Sequence, residues 1–185
     1  MCVAKNTHFL FSVYSFFSSF VDSVKLRHKM ISEWEIVEMK LLTGEFKNML
    51  DEKGRLSLPA RLRSDLPSSL VLTQGVDTCL WLFAPEEWEE LSQRILASTS
   101  LFQARSRLIQ RRIIAPAQEV EVDKLGRISI PQSLRDWAGL SKECIILGIS
   151  RYVEIWDSQR YQAYLAENQS EFLSAAEELG GLTLS

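Results

Sequence analysis

An internal repeat restricts the fold of this chain more than any other feature. Asp51-Glu-Lys-Gly54-Arg55-Leu-Ser-Leu-Pro59-Ala-Arg-Leu62-Arg63 returns as Asp123-Lys-Leu-Gly126-Arg127-Ile-Ser-Ile-Pro131-Gln-Ser-Leu134-Arg135, at an offset of 72 residues. The Asp, Gly, Arg, Ser, Pro, Leu and final Arg recur in place, and two leucines are exchanged for isoleucines. The flanks correspond as well: Leu70-Val-Leu-Thr-Gln-Gly75 and Leu80-Trp-Leu-Phe83 match Cys144-Ile-Ile-Leu-Gly148 and Val153-Glu-Ile-Trp156. Each copy then enters a helix-like segment, 85–91 in the first and 157–165 in the second.

Residue type gives a coarse reading of one unit. Residues 45–50 and 119–122 have strand character, the second alternating acid and valine with the period of a half-buried strand. Asp51 and Asp123 can accept hydrogen bonds from backbone N–H groups two residues on, and Gly54 and Gly126 can take positive φ, so D-x-x-G-R reads as a hairpin corner. The next strand alternates Leu56/Leu58 or Ile128/Ile130 with serine and stops at Pro59 or Pro131, which suits the first turn of a short helix. Two further apolar strands complete each unit. About 45 residues bury too little surface to be stable alone, so the two copies are expected to interleave their strands. The expected class is α+β, mainly β.

The expected organisation is a leader over 1–38, a first repeat over 45–88, a basic helical linker over 89–116, a second repeat over 117–160, and a C-terminal helix with an acidic, fraying tail over 161–185. Residues 92–116 carry Arg94, Arg105, Arg107, Arg111 and Arg112 and no acid. Met39 opens the segment just before the first repeat, so it is the expected start of the native protein, and a chain beginning there is expected to fold and bind as the full chain does. The apolar stretch 9–21 is broken by Ser12, Ser15, Ser18 and Ser19 and is too short for a bilayer span. Cys2, Cys79 and Cys144 are odd in number and lack C-x-x-C spacing, which points to a reducing compartment, with Cys79 and Cys144 as core residues.

Catalysis is not expected. Both histidines, His8 and His28, lie in the leader, and there is no P-loop, no G-x-G-x-x-G and no cluster of metal ligands. No cofactor is expected either. The net charge of −3 does not argue against nucleic acid, because local patches govern phosphate binding.

From Met39 to Leu165 the chain resembles the MraZ family, a bacterial branch of the SpoVT-AbrB group. The resemblance rests on Thr43-Gly-Glu-Phe46, on both D-x-x-G-R turns with their proline-bounded strands, on Gly75-Val-Asp-Thr-Cys-Leu-Trp81-Leu-Phe83 and on Glu87-Trp88. It implies a double-split β-barrel built from two tandem SpoVT-AbrB-like repeats. It also implies a closed ring of subunits in the cytoplasm and nucleoid, bound to direct repeats in the promoter of the division and cell-wall gene cluster, its own included, and acting as a repressor. The family's DNA-contacting arginine falls on Arg55, with Lys53 and Arg61 nearby and Arg127 and Lys124 in the equivalent second copy. A fixed arginine can bridge guanine O6 and N7 while lysines hold phosphates. Asp51, Gly54, Asp123 and Gly126 are assigned to shaping the turns. A non-enzymatic oligomeric scaffold for a protein partner is the alternative.

Overall fold

The computed structural model describes residues 41–100 and 102–180; the leader expected over 1–38 lies outside them. The first repeat contains β1 (Leu42–Met49), β2 (Arg55–Ser57), α1 (Ala60–Arg63), β3 (Ser69–Gln74), β4 (Leu80–Phe83) and α2 (Pro85–Ser98). A connecting helix α3 (Ala104–Ile109) runs directly into a π-helical turn, Gln110–Ile114. The second repeat contains β5 (Gln118–Glu121), β6 (Arg127–Ser129), α4 (Gln132–Ala138), β7 (Glu143–Ser150), β8 (Tyr152–Asp157) and α5 (Ser158–Glu167), followed by α6 (Gln169–Leu179).

The strands of the two copies interleave. Six of them form an antiparallel sheet in the order β1-β7-β8-β4-β3-β5, and β2 pairs with β6 as a separate two-stranded ribbon. Among the described residues, only the β3–β4 and β7–β8 ladders lie within one repeat; β1–β7, β8–β4, β3–β5 and β2–β6 all join one repeat to the other. The protein is therefore α+β and mainly β. The edge strands β1 and β5 form no ladder with each other, so the hydrogen-bonded sheet is open, and each edge continues through its D-x-x-G-R turn into the ribbon.

Alternation explains the core. Leu56, Leu58 and Leu62 and their counterparts Ile128, Ile130 and Leu134 are all buried in one cluster with Leu70, Leu72, Leu80, Leu82, Ile146, Val153 and Ile155. Residues one register step away along the sheet face the other side, where Ile145, Leu147 and Trp156 pack with Cys79 and with Tyr161 and Tyr164 of α5. Burial pushes both described thiols up, Cys144 to about 12, in keeping with core cysteines.

Some expectations need adjustment. Pro59 and Pro131 sit at the N-cap, one position before the helix, with φ of −55° and −56°. The linker is not one helix: α2 ends at Ser98, and Thr73 Oγ1 donates to Ile113 O at 2.6 Å, fastening the π turn to β3. The segment expected to fray at the C-terminus is helical over Gln169–Leu179.

Asp157 links the sheet to α5. It is 5% exposed and caps the helix, accepting from Gln159 N–H and Arg160 N–H, while its other oxygen accepts from Ser141 N–H and Ser141 Oγ–H. Burial alone would raise its pKa, but these four donors outweigh it and hold the carboxyl below its ordinary value. Asp157→Ala is expected to cost about 1–2 kcal/mol through the lost cap. A denaturant midpoint that does not move would show that the cap is not used.

Candidate nucleic-acid interface

Each turn is built by its own aspartate. Asp51 Oδ1 accepts from Lys53 N–H at 2.9 Å and Arg55 N–H at 2.8 Å, and Asp123 Oδ1 accepts from Leu125 N–H at 2.8 Å and Arg127 N–H at 3.0 Å. The second carboxylate oxygen grips the arginine. Arg55 Nε donates to Asp51 Oδ2 at 2.7 Å, and Arg55 Nη2 lies 2.7 Å from the same oxygen. Arg127 repeats this on Asp123 Oδ2, at 2.9 and 2.7 Å. The grip takes the Nε side of a planar fork that has five donors, so the Nη1 end is not engaged by the aspartate.

These arginine bonds favour ionised carboxylates, and they hold Asp51 below its ordinary value and Asp123 down to about 2. A depressed carboxyl pKa adds stability above the unfolded value, and that stability disappears as pH falls through the folded one. Melting temperature is therefore expected to drop between pH about 4 and about 2, and Asp123→Asn to flatten part of that limb. An unchanged acid limb in the variant would remove the Asp123–Arg127 pair as its cause.

The two repeats hold each other's turns. Gly54 and Gly126 have φ of +73° and +77°, as a hairpin corner of this kind requires. The carbonyl of Gly54 accepts from Ile130 N–H and that of Gly126 from Leu58 N–H, both at 2.9 Å. Arg135 lies across Gly54, where an added Cβ would fall 1.1 Å from Nη1, and Arg63 lies across Gly126, where the distance would be 1.6 Å. Arg135 donates to Ile130 O at 3.0 Å and to Gln132 Oε1.

The ribbon brings both motifs to one face. Its register is Arg55↔Ser129, Leu56↔Ile128 and Ser57↔Arg127. Leu56 and Ile128 are fully buried, so Arg55, Ser57, Arg127 and Ser129 occupy the opposite face. The arginines are diagonal neighbours, two register steps apart, which is about 7 Å along the strand. Lys53 and Lys124 are exposed within the two turns. Arg61 is exposed on α1 and reaches Thr43 Oγ1 of β1 at 3.5 Å. Sequence reasoning missed Ser57 and Ser129, although their alternation with the buried Leu and Ile was the available signal. Asn48 also went unnoticed; its Nδ2 donates to Ser57 O at 2.7 Å and no local motif marks it.

Among the described residues no group of His, Cys, Asp or Glu has the arrangement of a metal site, and no helix is long and apolar enough to cross a membrane. Arg112 stacks on Trp137 at 3.8 Å, so one of the linker arginines is engaged within the fold.

Interleaved tandem repeats that present a pair of aspartate-braced arginines on one ribbon define a two-copy α+β protein. Residues 41–112 and 113–181 each match the family described as "MraZ protein, putative antitoxin-like". The chain belongs to the MraZ family. It is 57% identical over 140 residues to a protein of Treponema denticola named "Transcriptional regulator MraZ", covering 75% of this chain and 97% of that one. It is 51% identical over 149 residues to proteins of the same name from two strains of Treponema pallidum, covering 80% of this chain and all of theirs. These relatives are named as regulators and not as enzymes.

Proposed function

We propose that this protein is a sequence-specific DNA-binding transcriptional regulator and that the arginine ribbon is its reading surface. The supporting observation is that Arg55 and Arg127 share one solvent face of the β2–β6 ribbon, each braced by its own aspartate. A two-stranded ribbon fits the major groove, and a braced arginine meets a guanine edge with little further loss of rotamer freedom. Lys53 and Lys124, with Arg61 farther along, would hold phosphates and fix orientation.

The finer reading follows the family resemblance. The open sheet and the ribbon together make a double-split barrel, with repeats at 45–88 and 117–160 joined by the linker. Copies of the chain assemble as a closed ring in the cytoplasm and on the nucleoid. The ring engages direct repeats upstream of the division and cell-wall gene cluster, its own promoter included, and represses by occupancy. Several subunits on tandem sites gain affinity through effective concentration, which offsets the weak grip of one subunit at physiological salt.

The test is a mobility shift with DNA from upstream of the protein's own gene, run across a salt series with unrelated competitor. A shift that survives competitor and weakens with salt is expected. Absence of any specific shift there and on division-operon promoters would overturn the reading and leave the protein scaffold in its place.

A further inference from the structure

Among the described residues, nothing covers helix α6. Every residue from 169 to 179 is exposed, Phe172 at 65% and Leu179 at 61%. An isolated helix of this length is marginal in water, so its apolar stripe calls for a partner. Phe172, Ala175, Ala176 and Leu179 follow the i, i+3, i+4, i+7 pattern of one stripe, bordered by Glu171 and Glu178, and the helix contains no Lys or Arg. Those carboxylates repel nucleic acid and anionic bilayers alike, so the fitting surface is apolar and basic.

The chain itself carries such a surface on α3. Arg105, Leu108 and Ile109 are exposed at i, i+3 and i+4, while Ser106 and Ile113 turn inward. Gln110 Nε2 donates to Thr99 Oγ1 at 2.8 Å and Ser100 N–H to Ser106 Oγ at 3.2 Å, fixing α3 against the end of α2. No acid occurs between residues 92 and 116. Among the described residues of the same copy nothing covers this face of α3, where Leu108 is 59% and Ile109 43% exposed. We infer that α6 of one copy docks through Phe172 and Leu179 onto the Arg105, Leu108 and Ile109 face of a second copy. The two surfaces differ, so the contact is head-to-tail and propagates until rotation closes it. This inference rests on the ring assembly proposed above and assigns its interface.

Light scattering on the full chain tests it. Wild type is expected at a multiple of the monomer mass, and Phe172→Glu/Leu179→Glu and Leu108→Glu/Ile109→Glu are each expected at monomer mass with unchanged circular dichroism. Each double variant keeps one intact surface, so an equal mixture is expected to form a species of twice the monomer mass that grows no further. An oligomeric wild type whose variants keep its mass would overturn this interface and leave the ring standing, whereas a monomeric wild type would remove the ring itself. A mixture that stays monomeric would overturn the α6–α3 pairing. Should a double variant lose its circular dichroism, charge exchange decides: Glu171→Arg alone is expected to lower the mass, and adding Arg105→Glu to restore it. No restoration would sink the pairing.

Discussion

Arg55→Ala and Arg127→Ala are each expected to weaken specific operator binding by about 1–3 kcal/mol per engaged subunit, roughly five- to more than a hundredfold, with fold and assembly intact. The loss has two sources. A guanine edge loses a bidentate partner, and the aspartate that braced the arginine is left as a bare carboxylate facing the DNA. In an assembly engaged at several sites the per-subunit losses compound. The protein itself should hardly notice, because each pair is about a third exposed and such pairs contribute little to stability. Lys53→Ala and Lys124→Ala should behave differently, weakening all sequences alike and reducing the salt slope. Mobility shifts on specific and unrelated DNA separate the two patterns. Unchanged operator affinity in the Arg55→Ala/Arg127→Ala double variant would remove the ribbon from the site.

Gly148→Ala is expected to destabilise the fold by about 2–4 kcal/mol at fixed protein concentration, more than the loss of the Asp157 cap. Gly148 lies opposite Gly44 in the β1–β7 ladder. An added Cβ would fall 2.7 Å from Thr43 N and 2.8 Å from Leu42 C, both backbone atoms of β1. Backbone has no alternative rotamer, so the strand must move away, and with it a ladder that joins the two repeats. The turn glycines provide a contrast. At Gly126 the atoms nearest an added Cβ belong to the Arg63 side chain, which can swing aside, leaving mainly the left-handed backbone cost of about 1–2 kcal/mol. Chemical denaturation of both variants should therefore rank Gly148→Ala below Gly126→Ala. Equal midpoints would mean that β1 and β7 do not approach as closely as described.

Much of the fold and of the candidate site is legible in the amino-acid sequence. The Asp51 and Asp123 turns, the positive φ of Gly54 and Gly126, the burial of Leu56/Leu58 and Ile128/Ile130, and the helices after Phe83 and Trp156 can all be read there. Each depends on residues within a few positions of one another. The family also follows from the repeated motif, and the similarity to the Treponema proteins bears it out. The extent of α6 was not expected, because its glutamates and the Gly180-Gly181 that follows resemble a fraying tail, although Phe172, Ala175, Ala176 and Leu179 carry helical spacing.

Local turn chemistry and side-chain period thus determined what the pieces are, and the doubled motif determined that they must share a core. Tertiary structure decided the rest. The antiparallel β2–β6 register puts Arg55 and Arg127 on one face, and a shift of one residue would have turned one of them toward Leu56 and Ile128. It also laid Arg63 over Gly126 and Arg135 over Gly54, contacts that span 63 and 81 positions of sequence. No local pattern encodes such pairings, because register is set by long-range packing of strands that each read the same in isolation.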